Sequence, residues 1–137
     1  MRSLKASFSR MAGLVLCSAV LWAGSAGTSF GAETTSFTPI KFKAAQEAGK
    51  TILVDVHADW CSTCQKQAPA IKKLSKERPF SGAVFMRVDY DNDKRALRTF
   101  NVQYQSTLIV FKGKKEMARS TGETDPQRIR ALLERGL

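Results

Sequence analysis

Residues 51–56, TILVDV, are apolar almost without a break, and they lead through His57 into a tryptophan and two cysteines, ADWCSTC. β-Branched residues without polar alternation suit a strand buried on both faces, the place of central strands in sheets whose crossovers carry helices. The text that follows, STCQKQAPAIKKLSKE (62–77), has helical periodicity, with Ala68, Ile71, Leu74 and Ser75 on one stripe. Pro69 lies inside it, where a kink is expected. A central strand that hands over to a helix places the joining loop at the carboxyl edge of the sheet. Reaction sites in open α/β sheets gather at that edge.

The remaining segments alternate in the same way. Residues 33–39 read as a frayed start or a short edge strand, 41–50 as a helix, 83–91 as a strand and 93–101 as a helix opened by Asp93. Strands at 106–112 and 116–122 face each other across a turn at Gly113. A final helix, 125–137, has Asp125 as its cap and Pro126 in its first turn. This order implies an α/β fold: a central mixed sheet of four to five strands, largely parallel, flanked by helices on both faces and closed by a hairpin. The length, 137 residues, allows one such domain at 33–137 plus a tail.

The tail is residues 1–32. It carries Arg2, Lys5 and Arg10 with no acid, then an apolar run from Met11 to Gly24, then small residues. That is the layout of a bacterial secretory signal, with cleavage expected between residues 26 and 32. The run falls short of the roughly 20 residues that span a bilayer, so a cleaved signal is favoured over a retained anchor. Location in the periplasm or outside the cell follows, with membrane attachment only if the signal stays uncut. Losing the segment lowers the basic residues from 22 to 19 against 12 acids. The remaining excess is scattered over the helices without aromatic interleaving, which argues against nucleic acid as a partner. Cys17 leaves as well, so the exported chain keeps only Cys61 and Cys64.

Two cysteines at this spacing have four possible uses: a redox dithiol, a metal site, a structural staple, or packed thiols. A structural zinc site wants four ligands, and only one pair is present, so no metal is expected. A staple closing two residues constrains little chain. The redox reading draws on position. Cys61 opens a helix, where free N–H groups and the dipole favour an anion and lower a thiol pKa from about 8.5. Cys64 lies one turn further along the same face. One sulfur can attack a disulfide and the other can resolve the adduct. Asp55, an acid inside an apolar strand, is expected to be buried with a raised pKa, and so able to exchange a proton with Cys64. Trp60 is expected to form an apolar lip beside Cys61 where partner chains dock. His57 is read as structural, and Arg87 either as a partner for Asp55 or as a solvated strand end.

The text ILVDVHADWCSTCQKQAP, followed by VDYDND, STLIVFKGKKE and Gly122, resembles the thioredoxin family over about residues 40–136. ADWC also resembles the periplasmic thioredoxin-like domain of membrane disulfide reductases. The resemblance implies a thiol–disulfide oxidoreductase with Cys61 attacking, Cys64 resolving and Asp55 as the buried acid, working without a cofactor. The family has a cis-proline before its third strand; here the string is Ser106-Thr107-Leu108. A cis bond before a residue other than proline costs about 3–4 kcal/mol, which favours a trans Gln105–Ser106 bond and a reshaped wall opposite Cys61. In the family this loop pairs with a bound chain in strand fashion, which makes Ser106 and Thr107 candidate substrate-binding residues. Ser62-Thr63 between the cysteines, with no histidine, points to a reductant. The expected function is an exported monomer that reduces disulfides of client proteins and is recharged by a membrane electron donor. The alternative is a copper- or zinc-handling, or redox-inert, binding module of the same fold.

Overall fold

In a computed structural model, residues 31, 32 and 34–137 are described; the signal reading of residues 1–30, with Cys17, lies outside the described residues. The elements follow the expected order: β1 (Thr34–Ser36), α1 (Pro39–Glu47), β2 (Thr51–His57), α2 (Ser62–Leu74), β3 (Val84–Asp89), α3 (Lys94–Thr99), β4 (Thr107–Lys112), β5 (Lys115–Thr121) and α4 (Pro126–Glu134). They build one five-stranded sheet in the order β1-β3-β2-β4-β5. β2 runs parallel to β3 and antiparallel to β4, and β4 and β5 form the hairpin. With neighbours on both edges and helices on both faces, β2 is buried at every residue, the reason its sequence lacks alternation.

Burial divides the core into two layers. Ile52, Val54 and Val56 face α1 and α3, against Phe42, Leu97 and Phe100. Leu53 faces the other way, towards α2 and α4, against Ile71, Leu74, Ile129 and Leu133. Side chains alternate along a strand, so Asp55 and His57 turn to the α2 side with Leu53.

Local chemistry sets the ends. Thr38, Asp93 and Asp125 accept backbone N–H bonds at the starts of α1, α3 and α4, and proline stands in the first turn of α1 and α4. Most expected boundaries shift by one to three residues, and three of the shifts have a local cause. α1 begins two residues before the expected Lys41, because Thr38-Pro39 supplies a cap and first turn. α2 runs through Pro69 but stops at Leu74, and a separate 3₁₀ turn at Arg78–Phe80 buries Phe80. β4 starts at Thr107, one residue late, because Ser106 lies outside the strand region at φ +62°.

Candidate functional site

α2 begins at the carboxyl end of β2, and Cys61 is its N-cap. The thiol does what a capping hydroxyl does elsewhere: Cys61 Sγ accepts the backbone N–H of Cys64 at 3.1 Å. Cys61 exposes 4% of its surface and Cys64 none, so the pair forms an outer and an inner sulfur at the mouth of the helix. Ala58 and Tyr90 close around them. Cys61 thus stands at the helix mouth with its sulfur set just beneath the surface.

The two thiols differ in proton affinity. Burial pushes Cys61 up, but hydrogen bonds from Cys64, from Ser106 and from the N–H groups of Cys64 and Thr63 outweigh it, and the thiol lies below its ordinary range. Burial and the neighbouring Cys61 both push Cys64 above its ordinary range, against opposing bonds from Ser106 and Ala58. The outer sulfur is thus the better thiolate and the inner one the weaker acid, the division that attack and resolution require.

Ser106 stands opposite. Its hydroxyl lies 3.1 Å from Cys61 Sγ and 3.3 Å from Cys64 Sγ. The residue sits at φ +62°, in the left-handed region that costs a non-glycine residue about 1–2 kcal/mol. Its backbone is anchored on every side. Its N–H donates to Val56 O at 2.8 Å, and its carbonyl accepts from Gly122 N–H at 3.0 Å and from Gln67 Nε2 at 3.1 Å. Proline could supply neither that N–H nor that φ. The expected strand-like capture of a client through the Ser106 backbone is therefore corrected: those groups are spent inside the fold, and the residue offers its hydroxyl. Thr107 is likewise turned inward, with Oγ1 bonding Tyr104 O at 2.8 Å and Thr121 Oγ1 at 2.9 Å.

Asp55 is buried, with 2% of its surface exposed. Desolvation raises its pKa against the pull of Arg87 and His57. Oδ2 accepts from Arg87 Nε at 3.2 Å, as expected of this pair, and among the described residues Oδ1 has no hydrogen-bond partner. Asp55 hydrogen-bonds Arg87 and neither thiol. His57 is buried beside it, with Nε2 3.5 Å from Asp59 Oδ1. Trp60 is 62% exposed, while its indole N–H donates to Asp91 Oδ2 at 2.8 Å and its ring meets Tyr90 edge-on. The expected lip is thus a ring pinned at one end and open on its face. Among the described residues no group of three or more His, Cys, Asp or Glu is arranged to hold a metal ion.

Gln67 is the site residue that sequence reasoning missed. It is fully buried and ties the Ser106 carbonyl to that of Glu123. A signal for it existed: Cys64, Gln67, Ile71 and Leu74 repeat at helical spacing, and a polar residue on a buried stripe demands a partner. The stripe begins at Cys64; the expected stripe through Ala68 displaced Gln67 from it.

A family model described as Thioredoxin matches residues 33–135. Among curated proteins, a Thioredoxin H-type of Oryza sativa subsp. indica is 36% identical over 78 residues, 57% of this chain and 62% of its own length. A Thioredoxin of Chlamydia muridarum is 34% identical over 86 residues, 63% of this chain and 82% of its own. The solved structure of Trxlp from Edwardsiella tarda EIB202 superposes with a TM-score of 0.72 at 35% identity, covering 74% of this chain and 98% of that one. The β2–α2 junction with its outer and inner sulfurs, the five-stranded sheet and these matches agree: the chain belongs to the thioredoxin family, thiol–disulfide oxidoreductases built around a dithiol such as Cys61–Cys64.

Proposed function

We propose that the protein is an exported reductase of protein disulfides, acting through dithiol–disulfide exchange at Cys61-Ser62-Thr63-Cys64. The observation that carries this reading is geometric: Cys61 Sγ caps the helix by accepting Cys64 N–H at 3.1 Å, and Cys64 lies fully buried one turn inside, an arrangement that lowers the outer thiol's pKa and raises the inner one's. The Cys61 thiolate attacks a client sulfur, and Cys64 then attacks Cys61 and frees the client. The direction is supported by what stabilises the thiolate. Its favourable contacts are hydrogen bonds from neutral groups, with no histidine between the cysteines. A strong oxidant stabilises its reduced form further. Export is supported by residues 1–32 and by an exported chain whose only cysteines are the dithiol. Clients are then oxidised cysteines of other exported proteins, and the electrons come from a membrane donor. Trp60 offers the apolar face for docking.

The test has three arms. Reduced protein accelerates insulin reduction by dithiothreitol, and Cys61→Ser abolishes the acceleration. The Cys61–Cys64 couple equilibrated with glutathione lies near the thioredoxin value of about −270 mV; a value near −120 mV reverses the direction. Residues 1–32 carry a reporter enzyme that is active only outside the cytoplasm to that side.

A further inference from the structure

Among the described residues, the Ser106 hydroxyl is the one side-chain group within hydrogen-bond reach of both sulfurs, at 3.1 and 3.3 Å. A hydroxyl carries one proton and two lone pairs, so it can donate to one sulfur while accepting from the other. Cys61 is the better anion and Cys64 the better proton holder. Either atom can donate in both contacts; with Cys61 as thiolate the hydroxyl donates to Cys61 Sγ, and its free lone pair faces the proton of Cys64.

We propose that Ser106 is a catalytic proton relay, passing the proton of Cys64 to the client sulfur that leaves Cys61. The relay rests on the exchange chemistry of the reductase reading and adds a residue to it. In the first step the electron pair of the Cys61 thiolate bonds to one client sulfur. The client S–S bond breaks, and its pair departs on the other client sulfur as thiolate. In the second step Cys64 bonds to Cys61 Sγ as its proton passes to Ser106 Oγ. The hydroxyl's own proton passes to the client sulfur as the Cys61–client bond breaks. One client disulfide gains two electrons and ends as a thiolate and a thiol. The dithiol loses two electrons and ends as the Cys61–Cys64 disulfide, and Ser106 is unchanged.

The surroundings hold the hydroxyl to this task. A left-handed φ in a non-glycine residue is a cost that persists at functional sites. Bonds to Val56, Gly122 and the buried Gln67 fix the backbone on which the hydroxyl stands. Asp55, the expected proton carrier, is engaged by Arg87. The titratable and charged groups facing the site are the two thiols of α2, Asp55 and His57 of β2, Arg87 of β3 and Tyr90 beyond it. Tyr90 donates its hydroxyl proton to Gln103 O. Glu123, behind Gln67, pairs with Arg128. Among the described residues only the thiols bond the Ser106 hydroxyl.

Ser106→Gly tests the relay, because glycine keeps the positive φ and removes the hydroxyl. The full-length chain is trapped at low pH as the Cys61–glutathione mixed disulfide and jumped to pH 5–9, and glutathione release is timed. The wild type is expected to release with little pH dependence. In Ser106→Gly, release at pH 7 falls about tenfold, the worth of one hydrogen bond to a charged group, and climbs with pH as solvent must deprotonate Cys64. The pH midpoint of Cys61 alkylation by iodoacetamide rises by about one unit. Ser106→Ala follows the glycine variant if the lost hydroxyl, rather than a loosened loop, is responsible. The relay is overturned if Ser106→Gly keeps the wild-type pH profile and releases within twofold of it. If that happens while both proteins reduce insulin, the relay alone fails. A wild type that releases glutathione normally but leaves insulin untouched removes the client reading and retains the relay.

Discussion

Gln67→Ala tests the claim that one buried amide holds the Ser106 loop against the dithiol helix. Gln67 Nε2 donates to Ser106 O at 3.1 Å in a buried bond and to Glu123 O at 2.8 Å in a part-buried one. Each bond contributes about 1 kcal/mol net. Ser106 O keeps its bond from Gly122, so its loss is the smaller of the two. The missing side-chain atoms leave a void that adds about 1 kcal/mol. Removing Oε1, a buried acceptor with no partner among the described residues, returns about 1 kcal/mol. The balance is a loss of about 2 kcal/mol, which lowers Tm by roughly 10 °C in a domain of about 100 residues. Urea unfolding followed by circular dichroism should show the midpoint fall at constant slope. Gln67→Met, which keeps the volume and removes both bonds, separates the void from the hydrogen bonds. A loss below about 0.5 kcal/mol in Gln67→Ala would refute the assignment.

Three further outcomes follow from the geometry. Asp55 has a folded pKa raised by burial, so the folded state binds its proton more tightly than the unfolded chain, and stability falls as pH rises from about 3.9 through the folded pKa. Asp55→Asn should remove that falling limb, so its urea midpoint gains on wild type with rising pH; a gap that does not change with pH contradicts this. A Cβ on Gly136 would meet Thr51 Cγ2 at 2.7 Å and Val110 Cγ1 at 2.8 Å, and Gly136 O accepts the Thr51 hydroxyl. Gly136→Ala should therefore cost about 1–3 kcal/mol of overpacking, read as a lower thermal midpoint. Trp60→Ala, which removes an exposed ring outside the core, should raise KM for insulin with kcat nearly unchanged; an equal fall in kcat would place Trp60 in the chemistry.

Much of the site was legible before folding because its physics is local. TILVDV reads as a central strand because each of its side chains meets protein on one face or the other. Cys61 and Cys64 read as one unit because a single helical turn separates them. Asp55 stood out as a charge within that strand. Ser106 was visible only as a missing proline, and nothing local foretold that its backbone would close onto Val56, Gly122 and Gln67. Thr107 drew attention for its place in the string, yet its hydroxyl is spent on Tyr104 and Thr121.

The sequence by itself determined the element order, the two-faced sheet and the dithiol at the β2–α2 junction. Those follow from periodicity, capping residues and spacings of three or four positions, which act within one element. The tertiary structure alone decided which groups face the sulfurs. Residues 61 and 106 are 45 positions apart, and their 3.1 Å approach exists only once β4 has paired with β2. That pairing also carries Ser106 over the mouth of α2 and leaves Asp55 to Arg87 on the neighbouring strand. Hydrogen bonds act over about 3 Å, whereas chain propensities reach a few residues, so partners this remote are chosen by the packed sheet.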